Sequence, residues 1–147
     1  MKIVVDANIV FSGILNTNSK IADILIHSDL IFDFISPNFL RYEISKNYTK
    51  LVKISKLTLN QIKESEYQIC KNITFISEES IDQICWIDAE KIVKDVDPKD
   101  VTYVAYSEHF KCKLWSGDKK LLTGIRKKGF INVISTDEMQ AFRDSLK

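Results

Sequence analysis

Four acidic residues, far apart in the sequence, each occupy a position suited to a shared site. Asp6 directly follows a short β-branched run at the start of the chain, and Asp118 follows a second apolar segment. Asp100 lies in the first turn of one predicted helix, and Glu43 lies within another. Clustered carboxylates repel one another unless a cation neutralises them, and Mg²⁺ and Mn²⁺ prefer oxygen ligands. These acids therefore predict a site for Mg²⁺ or Mn²⁺.

An acidic metal site of this kind suits the hydrolysis of phosphoesters. One metal ion, or two placed about 3.5–4 Å apart, activates water and stabilises the leaving oxygen. No glycine-rich phosphate loop accompanies the acids, so a nucleoside-triphosphate switch is not expected. Asn8 and Ser116 stand beside two of the acids and could orient a ligand carboxylate or a water molecule.

Each acid also has a purely structural interpretation. Asp6 could be the N-cap of a helix that follows the first strand. Asp100 and Asp118 could be first-turn acids that complement a helix dipole. Glu43 taken alone is most simply a solvated helix residue. The residues by themselves leave both interpretations open.

Three further polar residues have capping interpretations of their own. Asp97 precedes Pro98, and this pair predicts an N-cap followed by proline at the first helical position. We therefore place Asp97 in the metal shell only as a supporting residue. Asn8 and Ser116 are also of types that favour N-cap positions.

The elements that must position these residues alternate between strands and helices. Strands are predicted over Ile3–Val5, Ile31–Ile35, Lys113–Ser116 and Ile131–Ile134, with Phe75-Ile76 a short strand or a turn. Helix starts are indicated at Ser36-Pro37 and at the capping boxes Thr58-x-x-Gln61 and Ser135-x-x-Glu138. This alternation predicts an α/β fold, with helices on the faces of a parallel sheet and a ligand site beyond the carboxyl ends of its strands.

Charge is segregated along a chain whose formal net charge is only +1. Its 147 residues suit one domain with its own core. Five basic residues and one acid lie between Arg41 and Lys56, and seven basic residues and one acid lie between Lys111 and Lys128. Such stretches suit either contact with a polyanion or solvated helix faces. The candidate phosphate contacts are Lys46, Lys50, Lys119, Lys120, Arg126 and Lys127.

Cysteine, histidine and hydropathy patterns favour a cytoplasmic protein without disulfides. The three cysteines form no C-x-x-C pair, and we expect reduced, mostly buried thiols. The two histidines lie far apart and carry no zinc-ligand spacing. The N-terminus enters a strand at once, without a signal-peptide pattern. No apolar run approaches the roughly 18 residues that span a membrane.

Four segments that carry the acids resemble the motifs of PIN domains, in the same order and with similar spacing. They are Val5-Asp6-Ala7-Asn8, Leu40-Arg41-Tyr42-Glu43-Ile44, Asp97-Pro98-Lys99-Asp100 and Leu114-Trp115-Ser116-Gly117-Asp118. The second motif supplies a helical Glu, and the fourth has Thr or Ser two residues before its Asp. The resemblance covers nearly the whole chain.

The resemblance implies a single PIN-like domain over residues 1–147, with a five-stranded parallel sheet and a Mg²⁺- or Mn²⁺-dependent ribonuclease site. Asp6, Asp100 and Asp118 would be the metal ligands, and Glu43 would complete the shell. Cleavage of RNA would leave a 5′-phosphate and a 3′-hydroxyl. Many small prokaryotic relatives are toxins of VapC-like toxin–antitoxin pairs, so a small antitoxin and a second copy of the chain are candidate partners beside RNA.

Two other classes of function compete with an endoribonuclease. The first is a non-catalytic RNA-binding module, in which the basic stretches contact phosphates and Tyr42 and Tyr48 stack on bases. The second is a phospho-acceptor signalling domain. That class requires an acidic pair after the first strand, which Asp6-Ala7-Asn8 does not provide.

Overall fold

A parallel sheet forms the centre of the computed structural model, which describes residues 1–96 and 100–146. The strands are β1 (Lys2–Val5), β2 (Asp33–Pro37), β3 (Ile73–Ile76), β4 (Lys113–Trp115) and β5 (Val133–Ile134). They lie in the order β3-β2-β1-β4-β5, and each neighbouring pair is parallel. The predicted α/β fold with a parallel sheet is confirmed.

Helices occupy most of the chain between the strands, and two of the predicted caps open them as expected. Thr58 and Gln61 form one capping box, and Ser135 and Glu138 form the other. Within the described ranges the helices are α1 (Ala7–Leu15), α2 (Lys20–His27), α3 (Phe39–Lys46), α4 (Tyr48–Ser55), α5 (Leu59–Cys70), α6 (Gln83–Val93), α7 (Val101–Phe110), α8 (Lys119–Lys127) and α9 (Thr136–Ser145).

Strand β1 shows why the sheet holds helices on both faces. Ile3 and Val5 pack into one core cluster and Val4 into another, and all three are completely buried. Successive side chains of a strand point to opposite faces, so an uninterrupted apolar run is what a doubly covered strand requires. Helices α1, α2 and α5 contribute to the first cluster, and α6, α7 and α8 to the second.

The prediction that Ser36-Pro37 starts a helix is wrong. These are the last two residues of β2, and helix α3 begins at Phe39. The ladder with β3 continues through Pro37, which is paired with Ile76, and the Asn38 amide donates to the Ile76 carbonyl at 3.0 Å. Pairing with a neighbouring strand therefore overrides a local capping signal.

The cysteines and the helix lengths add two general observations. Each cysteine is a free thiol; Cys70 is buried, whereas Cys85 and Cys112 are half-buried. No single helix in the described part is long and apolar enough to cross a membrane. Helices α1 and α2 meet that test of length and composition only as a pair bent by 103°.

Candidate active site

The carboxyl ends of β1 and β4 bring the first and fourth motifs together. Val5 is paired with Trp115, and the Asp6 amide donates to the Trp115 carbonyl at 3.1 Å. The chain runs outward from β1 through β2 to β3, and then crosses back to place β4 on the other side of β1. Open parallel sheets hold their ligand sites where the strand order reverses in this way.

A pocket of about 310 Å³ opens at this point, and all four predicted acids line it. They come from four different segments: the ends of β1 and β4, the middle of α3 and the residue preceding α7. The described residues that line it are Asp6, Ala7, Asn8, Phe11, Phe39, Leu40, Glu43, Asp100, Tyr103 and Asp118. The structure thus brings together acids separated by more than a hundred positions in the sequence.

Ser116 connects two of these acids through one hydroxyl group. Its Oγ donates to Asp6 Oδ2 at 2.8 Å and accepts the Asp118 backbone N–H at 3.1 Å. Ser116 is completely buried, and Asp6 is only 2% exposed. One buried and one partly buried hydrogen bond therefore fix the Asp6 carboxylate relative to the start of α8.

Asp118 combines the two interpretations that its position allowed. Its Oδ1 accepts the N–H groups of Lys120 and Leu121 at 3.0 and 3.2 Å, so it is the N-cap of α8. The same side chain lines the pocket. Asp6 occupies the N-cap position of α1, but its side chain makes no capping hydrogen bond. The capping interpretation thus holds for Asp118, whereas the Asp6 carboxyl lies near the Ala7 and Asn8 N–H groups without a capping hydrogen bond.

The remaining predicted site residues differ in what the structure shows of them. Glu43 is half-buried in α3, and Asn8, the second residue of α1, is exposed; both line the pocket. Asp100 is half-buried and directly precedes α7. Asp97, predicted to be an N-cap and a supporting residue, lies outside the described residues.

Burial dominates the electrostatics of Asp6. It raises the pKa of the Asp6 carboxyl above its ordinary value of 3.8, because the charged form loses hydration. The hydrogen bond from Ser116 and the N–H groups of Ala7 and Asn8 lower the pKa, and the charge of Asp118 raises it again. The metal-free protein therefore holds a carboxylate whose negative charge is poorly compensated.

The raised pKa of Asp6 predicts how stability depends on pH without metal. An acid whose pKa is higher in the folded state destabilises the fold when ionised, and this effect vanishes as pH falls through the raised pKa towards 3.8. In EDTA at neutral pH, Asp6→Asn should therefore be at least as stable as the wild type. Any advantage should disappear on acidification. Urea unfolding of both proteins across pH measures this difference, and an advantage of Asp6→Asn that grows on acidification would contradict it.

Tyr103 is a pocket residue that the sequence did not single out. It is 4% exposed, and its hydroxyl has no hydrogen-bond partner within the described residues. Burial raises the pKa of Tyr103 above its usual range, the charges of Asp6, Asp100 and Glu43 raise it further, and the nearby Ala7 N–H lowers it. A buried hydroxyl without a partner is costly and calls for an explanation. Tyr103 lies three residues after Asp100, and this spacing brings helix residues close together. That spacing was the feature of the sequence that could have identified Tyr103 as a pocket residue.

The predicted phosphate contacts fall into two groups. Lys46, Lys50, Lys119, Lys120 and Lys127 are exposed. Lys50 lines a second groove of about 340 Å³, which shares Asn8 and Phe11 with the acidic pocket and so continues from it. Arg126 is also exposed, but it already bonds the Val133 carbonyl at 3.1 Å and Glu138 at 2.8 Å.

The donor set of the acidic pocket fits a hard divalent cation. Among the described residues that line it, the ionisable groups are four carboxylates and the Tyr103 phenol, without sulfur or imidazole. Mg²⁺ and Mn²⁺ take such oxygen ligands, and a cation would neutralise the poorly compensated charge of Asp6. The residues present therefore fit the metal that the acids predicted.

A family model described as PIN domain matches residues 4–142. The chain belongs to the PIN-domain family. PIN domains are generally nucleases and typically use divalent metals. A similar solved structure is that of VapBC2 from Rickettsia felis bound to a DNA fragment from their promoter. It matches with a TM-score of 0.66 and 11% identity, covering 92% of this chain and 97% of the matched chain. At this identity the likeness concerns the fold. Comparison with curated proteins gives no match.

Proposed function

We propose that this PIN domain is a Mg²⁺- or Mn²⁺-dependent endoribonuclease. The observation that supports the proposal best is the convergence of four carboxylates on one pocket, one of them only 2% exposed. Burying a carboxylate without a compensating charge is unfavourable, and a fold that does so at a pocket gains from a bound cation. Mg²⁺ and Mn²⁺ at oxygen ligands are well suited to phosphodiester hydrolysis.

The residues of the pocket have separable roles in this proposal. Asp6, Asp100 and Asp118 would hold the cation, and Glu43 would complete the shell from α3. A cation bound there supplies an activated water and neutralises negative charge on the phosphate. Ser116 orients Asp6 through the 2.8 Å hydrogen bond. The N-terminal amides of α8 hold Asp118 Oδ1 in place.

RNA could reach the pocket along the adjacent groove. That groove is lined by the apolar side chains of Phe11, Leu15 and Ile54 and by Lys50. Exposed aromatic and apolar surface suits unpaired bases, and lysines suit backbone phosphates. Lys119 and Lys120 directly follow Asp118 in the sequence and are exposed. We therefore propose that the substrate is single-stranded RNA.

Cleavage assays test the proposed activity. A labelled single-stranded RNA is incubated with the protein in Mg²⁺, in Mn²⁺ and in EDTA, and the ends of the products are mapped. We expect cleavage only with a divalent cation, and products with a 5′-phosphate and a 3′-hydroxyl. Cleavage that persists in EDTA would rule out the metal mechanism. A 2′,3′-cyclic phosphate would rule out attack by water.

A non-catalytic RNA-binding module is the second candidate, and one surface feature favours it. Tyr42 is 65% exposed, and Lys46 lies over its ring at 5.9 Å from the centroid. An exposed aromatic ring beside a cation suits stacking and phosphate contact. If RNA binds without metal, weakens with salt and is not cut, this candidate replaces the nuclease.

A small antitoxin is the protein partner that we propose for this chain. The support is the likeness to a chain of VapBC2, a pair of proteins solved together on DNA. A second copy of this chain is a further proposed partner. Co-expression with the product of an adjacent small open reading frame tests the antitoxin: it should co-purify and suppress cleavage. Light scattering of each preparation tests the homodimer.

Replacing the Tyr103 hydroxyl separates a role in cleavage from a role in folding. Tyr103→Phe removes a buried hydroxyl that has no partner among the described residues, so stability should stay the same or rise, by up to about 1–3 kcal/mol. If that hydroxyl contacts the substrate, cleavage should fall about tenfold, the effect of roughly 1.4 kcal/mol. The measurements are urea unfolding and kcat/KM on one RNA.

The matched control for Tyr103 is Tyr106, one turn later on α7. Tyr106 is completely buried, and its hydroxyl donates to the Ile76 carbonyl at 2.6 Å. Tyr106→Phe should therefore lower stability and leave kcat/KM unchanged below the melting temperature. If Tyr103→Phe also loses stability and keeps full activity, its hydroxyl is structural.

A further inference from the structure

Asp82, Cys85 and His109 bring three different metal-binding groups together on the surface formed by α6 and α7. A carboxylate oxygen, the Cys85 sulfur and an imidazole nitrogen lie within 4.8 Å of one another. Asp82 precedes α6, Cys85 is the third residue of that helix, and His109 is in the last turn of α7. The two helices pack against each other, so the cluster depends on their contact rather than on spacing within one motif.

The cluster is already held in place without a metal. The Asp82 backbone N–H donates to His109 Nδ1 at 3.1 Å, and Asp82 Oδ2 lies 3.6 Å from the same nitrogen. The His109 ring contacts the edge of Phe110 at a centroid distance of 4.7 Å. A metal in either position would replace this backbone hydrogen bond. On Nδ1 it takes the lone pair that accepts the N–H, and on Nε2 it leaves the ring proton on Nδ1. The Asp82 side chain makes no capping hydrogen bond to α6.

Exposure and charge around the cluster favour a cation. The side chain of Asp82 is 74% exposed and that of His109 is 21% exposed, so an ion can reach them from solvent. The carboxylates of Asp88 and Glu108 lie near the Cys85 thiol and add negative charge, opposed by Lys111. Carboxylates gathered around a thiol make a poor site for a reactive anion and a good one for a metal ion.

We propose that Asp82, Cys85 and His109 form a second metal site, selective for a transition metal such as Zn²⁺. Sulfur and imidazole ligands favour Zn²⁺ over Mg²⁺ and Mn²⁺, and three protein ligands leave a fourth position to solvent. The site is separate from the acidic pocket, because Asp100 and His109 lie at opposite ends of α7, a helix about 15 Å long. The ion clamps the start of α6 to the end of α7.

Cobalt titration tests this site without relying on RNA cleavage. The reduced, metal-free full chain is titrated with Co²⁺, whose bond to a thiolate gives a charge-transfer absorption that oxygen ligands do not give. We expect this band in the wild type and in Asp6→Asn, which alters only the acidic pocket. We also expect Zn²⁺ to abolish the band and to raise the melting temperature.

Three ligand variants and one matched control decide the assignment. Cys85→Ser should lose the band. Asp82→Asn and His109→Gln should weaken Co²⁺ binding by at least about 10–100-fold, which is the typical effect of losing a residue that only supports a metal ligand. Cys112→Ser replaces the other half-buried thiol and should keep the band. Melts of the metal-free variants verify that each one folds. A wild type without the band overturns the proposal, as does a band that survives Cys85→Ser or depends on Cys112.

Discussion

Asp6→Asn and Asp118→Asn should each lose metal-dependent RNA cleavage by at least about 100-fold, more than the 10–100-fold typical of outer-shell partners. Asn has nearly the same size as Asp but carries no charge, so the cation is held more weakly and no cavity forms. Asn also caps helices about as well as Asp, so α8 should keep its start in Asp118→Asn. In EDTA the stability of both variants should equal or exceed that of the wild type, because one repelling charge has gone.

The control for these variants is Asp29→Asn. Asp29 is exposed and lies in the turn before β2, at the opposite edge of the sheet from the acidic pocket. It should cleave at the wild-type rate. Rates are measured in saturating Mn²⁺, beside thermal melts in EDTA. Wild-type rates for both Asp6→Asn and Asp118→Asn would show that these acids do not bind the catalytic metal, and the acidic-site mechanism would be wrong.

Ser116→Ala should remove the hydrogen bonds that hold Asp6 relative to the start of α8. The substitution removes the hydroxyl that donates to Asp6 Oδ2 and leaves the partly buried Asp118 N–H without that acceptor. We expect a loss of about 1–3 kcal/mol in the free energy of unfolding. We also expect a rise of about 10–100-fold in the Mn²⁺ concentration that gives half-maximal cleavage, because the hydroxyl orients a metal ligand.

Ser36→Ala is the matched control for Ser116→Ala. Ser36 is also completely buried near the end of a central strand, and its hydroxyl donates to the Val5 carbonyl at 3.0 Å. It should lose stability to a similar extent and keep the wild-type dependence on Mn²⁺. Both are assayed well below their melting temperatures. Equal shifts in the Mn²⁺ requirement would mean that Ser116 acts only through general stability.

The acidic pocket could be located from sequence because it depends on strand ends. Asp6 and Asp118 follow apolar runs, and parallel strands bring such positions to one edge. Whether Asp118 was a cap or a ligand could not be decided from spacing. One oxygen of its carboxylate caps α8 while the side chain also lines the pocket, so the alternatives were not exclusive.

Features that depend on packing between helices were not accessible in this way. Whether the Tyr103 hydroxyl has a hydrogen-bond partner depends on how closely α7 packs against the sheet. The cluster of Asp82, Cys85 and His109 depends on how α6 aligns with α7, which no spacing in the sequence reports. The prediction that a helix starts at Ser36-Pro37 failed for a related reason. These residues pair with β3, which lies more than thirty residues later in the sequence.

The strand order has a consequence for the protein during its synthesis. A growing chain can pair β1 with β2 and β2 with β3 as soon as these segments emerge, but the other edge of β1 waits for residues 113–115. Synthesis proceeds from the N-terminus, so Asp6, Glu43 and Asp100 exist for a time without Ser116 and Asp118. Fragments that stop before β4 should therefore be inert towards RNA. The proposed nuclease site is therefore complete only after β4 and the start of α8 have been made.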